Sequence, residues 1–139
     1  ARALNDSFWM ALSLGNLGYN YYLKGNYDEA VPLLLRDYEQ SMQANQLESA
    51  ANAGLSLSDI YLKTGKPEAA RQIMESIQPE VMQKRYPRWM RNWFENQYGL
   101  ARLQGNLSLA VIFADSALKY RDIAASNTNA QILANTRSK

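Results

Sequence analysis

Glycine returns at positions 25, 65 and 105, and five residues after each comes an alanine, Ala30, Ala70 and Ala110, so both series step by 40 residues. A fixed period of this size means that one supersecondary unit is used several times, each copy stacked on its neighbour. The segments that align are Tyr22 to Ala30, Leu62 to Ala70 and Arg102 to Ala110. Three such units account for most of a 139-residue chain.

Each glycine separates two patterns of helical period. Before the first, Leu14, Leu17, Gly18 and Tyr21 fall at i, i+3, i+4 and i+7; after it come Tyr27, Ala30, Val31, Leu34, Leu35 and Tyr38. The second unit repeats this with Leu57, Tyr61, Ala70, Ile73, Met74 and Ile77, the third with Trp93, Leu100, Leu107, Ala110, Val111, Ala114 and Ala117. Glycine suits the residue after a helix because it reaches positive φ without a Cβ penalty. Asn26 with Glu29 three residues on reads as a capping box, and Pro67 as a first-turn proline. With no sustained alternation and no Asn-Gly or Asp-Gly hairpin signal, the chain is all-α: six helices of roughly 17–20 residues.

Repeats are expected over about 8–46, 47–86 and 87–125, with a cap or tail over 126–139, in a single domain. Pro32, a turn inside its helix, predicts a local bend. Pro79 and Pro87 bracket Glu80 to Tyr86, which leaves open a kinked helix or a separate short turn. The run Ser126-Asn127-Thr128-Asn129 predicts a polar break before a short capping helix, or before the start of a following segment. The chain begins Ala1-Arg2-Ala3-Leu4, and the expectation is a piece of a longer protein.

The composition excludes more than it assigns. There is neither cysteine nor histidine, which removes disulfides, thiolate zinc sites and the side chain that titrates nearest neutrality. Fifteen basic against 13 acidic residues give +2, too weak a field to argue for nucleic acid. No uninterrupted apolar run approaches the roughly 20 residues that cross a bilayer, so no membrane insertion is expected. Both a periplasmic and a cytoplasmic location stay open.

The first unit resembles a tetratricopeptide repeat: Leu17-Gly18-x2-Tyr21 matches the first half of that pattern, with Leu14 in place of Trp, and Ala30-x3-Leu34 the second. The second unit keeps Leu57, Tyr61, Gly65, Ala70 and Met74, with Ser58 for the small glycine; the third keeps Gly105, Ala110, Ala114 and Ala117 but has Gln97, Tyr98 and Ala101 at the Leu-Gly and Tyr positions. The likeness covers roughly residues 11–118, at a period of 40 rather than the family's usual 34. It implies a right-handed α-solenoid that binds a protein or peptide, as in the sensory regions of bacterial histidine kinases and in transcription regulators. In it Gly18 or Ser58 would face Ala30 or Ala70, with Leu17, Tyr21, Leu34, Tyr61 and Met74 around them. The family's Lys, Asn and Arg clamp for carboxylate tails is not reproduced.

Such arrays bind along the wall formed by the first helix of each pair. In register, that wall carries Asn16, Tyr19 and Tyr22, then Asn52, Ser56, Asp59 and Lys63, then Asn92, Glu95, Asn96 and Arg102. Asparagine both donates and accepts, so Asn16, Asn52, Asn92 and Asn96 could grip a peptide backbone, with the tyrosines as flat apolar area. The alternative is an ordinary solvated helix surface. A second cluster, Lys84 to Phe94, interleaves four cations with aromatics; Trp89 and Trp93 read as core, facing the preceding pair, with the cations fanned outward, and docking of an acidic partner as the alternative. The carboxylates are scattered, and P-loops, dinucleotide fingerprints and metal-ligand runs are missing, so neither catalysis, cofactor nor metal is expected. The expected function is a non-catalytic docking or sensing domain; the alternative is a spacer that dimerises through Trp89, Trp93 and the chain ends.

Overall fold

The computed structural model describes the backbone of residues 2–137 and the side chains of residues 13–136; Ser138 and Lys139, the end of the expected tail, lie outside it. Six helices follow in order: α1 (Arg2–Leu23), α2 (Tyr27–Gln43), α3 (Leu47–Lys63), α4 (Pro67–Lys84), α5 (Pro87–Leu103) and α6 (Leu107–Arg137). No strand occurs among the described residues, and the fold is all-α. The chain divides into two compact units, Ala1–Lys84 and Arg85–Lys139.

The turns are built alike. Gly25, Gly65 and Gly105 have φ of 79°, 76° and 76°. After the first helix of each pair, two backbone bonds close the turn: Gly25 N–H to the Tyr22 carbonyl and Asn26 N–H to that of Tyr21, Gly65 to Leu62 and Lys66 to Tyr61, Gly105 to Arg102 and Asn106 to Ala101. This is the Schellman arrangement, which satisfies carbonyls that the helix end leaves without a partner. The capping box at Asn26 does not form: its side chain makes no cap bond, because its ψ of 72° lies short of the extended backbone that aims a capping side chain at the next helix. Asn106 does cap, accepting from the Leu109 N–H at 3.2 Å.

In the first unit α1 packs on α2 and touches α3, while α2 and α4 both pack on α3. The core joins Ala30 and Leu34 of α2 to Leu57 and Ile60 of α3, with Tyr21, Tyr61 and Ile73 against them. α3 is buried from Ala50 to Leu62 at ten positions, and its small residues permit this: a Cβ on Gly54 would stand 3.0 Å from Ile77. Where a Cβ on Gly18 would stand, Leu33 and Leu34 lie 2.9 and 3.1 Å away, so α1 and α2 approach closely there. Leu17, expected to fill the core, is 45 % exposed, while Leu57 at the matching place in α3 is fully buried. The difference follows from position, because α3 has helices on more of its sides than α1 has. The Tyr38 hydroxyl and Ser76 Oγ, 2.5 Å apart, tie α2 to α4.

Both internal prolines are accommodated: α2 runs through Pro32, and α4 through Pro79 to Lys84, so residues 80–84 form no separate turn. The expected break at Ser126–Asn129 is absent, and α6 continues for 31 residues as one helix. Asn45 and Arg85, which end α2 and α4, have φ of 56° and 51°. Forty residues on stands Ala125, a strong helix former, and Thr128 and Thr136 return their hydroxyls to the carbonyls of Ala124 and Ile132 within the helix.

In the second unit α5 packs on α6. Phe94 stacks on Phe113 and Tyr120, with ring centroids 6.2 and 5.7 Å apart. Trp89 and Trp93 are buried, and Tyr86 lies edge-on to Trp89 at 4.8 Å. Leu107, Val111, Leu118 and Ile132 of α6 stay exposed.

Gly65→Ala meets no atom within 4 Å, so its whole effect is backbone strain at φ 76°. Urea denaturation should show a loss of about 1–2 kcal/mol with circular dichroism of the folded state unchanged.

Candidate functional site

The end of the first unit beside the Gly25 turn gathers aromatic and charged side chains from three helices. Tyr22, in the last turn of α1, donates its hydroxyl to Asp59 Oδ2 of α3 at 2.6 Å. Lys63, one turn further along α3, reaches the same oxygen at 3.0 Å. Tyr19 and Tyr27 flank Tyr22, with ring centroids at 5.9 and 6.2 Å. Tyr22, Leu23, Lys24, Gly25, Tyr27 and Lys63 line a cleft of about 360 Å³. The sequence places the three tyrosines together because the glycine turn reverses the chain between Tyr22 and Tyr27.

Charge here is mutually satisfied. Burial, and then the bond to Asp59, push the Tyr22 phenol well above its ordinary range. Burial, the largest influence, pulls the Lys63 ammonium down, but Asp59 and Tyr27 together outweigh it and the net shift is upward. A phenol held protonated and a carboxylate already shared by a hydroxyl and an ammonium are poor proton-transfer groups. They suit recognition: an apolar ring surface edged by fixed hydrogen-bonding groups.

The remaining residues of the expected wall are distributed differently. Asn16, Tyr19 and Asn52 are exposed. Ser56 and Asn96, which occupy matching places 40 residues apart, are buried at 7 % and 2 % exposure and present little surface. Ser56 turns back on its own helix, toward the Asn52 carbonyl at 3.5 Å. In the second unit Asn92 is half-buried and accepts from Arg91 at 3.4 Å; Glu95 is exposed with Arg91 Nε at 3.9 Å, and Arg102 is exposed in the last turn of α5. The structure thus brings Tyr19, Tyr22, Asp59 and Lys63 into one cluster, and Asn92 and Glu95 beside Arg91.

Sequence reasoning missed Asp37. Its carboxylate is buried in α2 at 6 % exposure, accepting from Ser41 Oγ at 3.0 Å. Gly15 of α1 makes the room, since a Cβ there would overlap the carboxylate. Burial pushes Asp37 up to about 6, against a smaller downward pull from Ser41. The 40-residue period held the signal: the same place is Ile77 in α4 and Ala117 in α6, both buried. Among the described residues no three His, Cys, Asp or Glu are grouped so as to hold a metal, and no helix is long and apolar enough to cross a membrane.

Compared with protein-family models, with curated proteins and with solved structures, the chain matches none.

The raised pKa of Asp37 fixes the sign of one pH effect. Between 3.8, the ordinary value, and about 6 the folded state keeps a proton that the unfolded chain has released. This residue therefore favours folding at low pH, and its contribution is lost as the pH rises through about 6. Asp37→Asn should match the parent in urea denaturation near pH ~4 and exceed it by on the order of 2 kcal/mol near pH ~7. Parallel curves across that range would mean that the carboxylate is solvated.

Proposed function

We propose that this chain is a non-catalytic domain that binds a peptide or protein segment. It is built as a right-handed α-solenoid of three tetratricopeptide-like repeats and acts as the sensing or docking region of a larger bacterial signalling protein of the sensor-kinase or regulator type. One observation carries the reading: three turns of the same geometry, 40 residues apart, each followed by an alanine of 3 % exposure or less. One helical hairpin used repeatedly lends itself to an extended binding wall more readily than to a single reaction centre.

The tyrosine cluster supplies the contact. Tyr19, 40 % exposed, offers its ring face beside the cleft, and Asn16, three residues earlier on α1, offers amide donor and acceptor groups. Tyr22 is a positioning residue, its ring fixed by Asp59 so that the surface is rigid before a partner arrives. Selection from a displayed library of peptides tests this directly. Bound peptides should lose affinity about tenfold with Tyr19→Ala, and less with Asn16→Ala, while Tyr22→Phe leaves the ring and most of the affinity. A library that yields no binder, or binders indifferent to Tyr19, removes the reading.

Self-association is the second reading, and one observation favours it. Trp89 and Trp93 are buried at 4 % and 3 %, which leaves little of them for a partner, but Leu107, Val111, Leu118 and Ile132 form an exposed apolar stripe on α6. Sedimentation decides it: a concentration-dependent dimer that Leu118→Lys dissociates supports this reading, and a monomer at every concentration removes it.

A further inference from the structure

Where α5 starts, the α5–α6 hairpin forms an open cavity of about 550 Å³, a cleft facing solvent whose lining is cationic. Arg88 and Arg91 enter it from α5 and Arg121 from α6, with the amides of Asn127 and Asn129 beside them. No carboxylate lines it. Each arginine has little to offset its charge. Arg88 and Arg121 form no ion pair or hydrogen bond among the described residues. Arg91 has one long ion pair, with the exposed Glu95 at 3.9 Å, and gives one long hydrogen bond to the neighbouring Asn92 at 3.4 Å, while its buried Nε lacks a hydrogen-bond partner. Arg85, by contrast, is committed to the Tyr120 hydroxyl at 3.1 Å and lies outside the lining. The first turn of α5 contains no acidic residue, so the positive end of that helix adds to the same field.

Three like charges around one cavity repel each other, and an anion there relieves that repulsion while filling the open donors. Guanidinium forks match the oxygens of phosphate in paired hydrogen bonds. A phosphate ester carries about 1.5 to 2 negative charges near neutral pH, of the size that three such cations accommodate. The cavity exceeds what a bare phosphate fills and lies in the range of small organic ligands, about 300–1,000 Å³. Its other walls are suited to an organic body: Tyr86 and Pro87 on one side, Ala124 and Ala125 on the other. Thr128 adds no free donor, since its hydroxyl is given to the Ala124 carbonyl at 3.0 Å.

We propose that this cavity binds a small phosphorylated organic molecule, with its phosphate on Arg88, Arg91 and Arg121 and its body between Tyr86 and the Ala124–Ala125 wall. The site shares no residue with the tyrosine cluster and stands or falls separately from peptide binding.

Amide NMR titration of the whole chain at ~50 mM salt tests it with four probes: adenosine 5′-monophosphate, inorganic phosphate, adenosine and citrate. Adenosine 5′-monophosphate should shift amides confined to residues 86–91 and 121–129, and bind about tenfold more tightly than inorganic phosphate or adenosine alone. Arg88→Ala and Arg121→Ala should each weaken it about tenfold, with Arg36→Ala, an equal loss of charge on α2, as the unaffected control. Should an alanine variant unfold, Arg88→Lys and Arg121→Lys keep the charge but lose the fork, and affinity should still fall. Three outcomes overturn the proposal: no localised shifts at millimolar probe, a loss with Arg36→Ala as large as with the cavity variants, or citrate binding as tightly as the nucleotide through the same arginines.

Discussion

The left-handed turn residue is the constraint from which the rest of this structure follows. A helix that ends must find partners for its last carbonyls, and here the same two backbone bonds do so after Leu23, Lys63 and Leu103, each time with glycine at the only φ that closes them. Each turn is followed, five residues on, by an alanine in the first turn of the next helix. Ala30, Ala70 and Ala110 are all buried. Asn45 and Arg85 close the opposite ends of α2 and α4 at similar φ but without glycine's freedom. Asparagine tolerates that region through its short polar side chain, whereas arginine has no such compensation.

What the sequence discloses is the part governed by backbone geometry. Glycine spacing, helical period and small residues at the crossings are local signals, and they locate six helices with Pro32 inside one of them, but they leave Pro79 undecided and put a break at Ser126–Asn129 that α6 runs through. What it hides depends on which faces meet. Asn16, Ser56 and Asn96 share one place in the 40-residue period, yet the first is exposed and the other two are buried. Asp37 was hidden for the opposite reason, since a carboxylate in a column otherwise filled by Ile77 and Ala117 looks like surface until Gly15 is seen to open space for it. Arg88 and Arg121 are 33 positions apart in the chain, and only the antiparallel hairpin puts them on one cavity.

The polar groups inside this molecule are handled in two ways. Tyr22, Asp59 and Lys63 form a closed set in which each group has a partner, so the cluster adds rigidity at little electrostatic cost. Ser58, which takes the place of Gly18 in the second hairpin, is buried with no partner for its hydroxyl. The added Cβ and oxygen fit, but the desolvated hydroxyl costs something that glycine does not. The second hairpin is thus a less economical version of the first, held instead by a helix, α3, enclosed along nearly its whole length.

The uninterrupted run of α6 has a further consequence. Beyond Ala124 every described residue of α6 is exposed, so residues 125–136, about three turns, rest mainly on their own ladder of backbone bonds. An isolated helical segment of that length is marginal in water, so its backbone bonds open locally more readily than those of the part packed on α5. Amide exchange should therefore be faster over residues 125–136 than over the stretch of α6 that packs on α5. A molecule held by Arg88 and Arg121 would also slow the exchange of residues it never touches, because tying that stretch of α6 to α5 leaves less of the helix able to open locally.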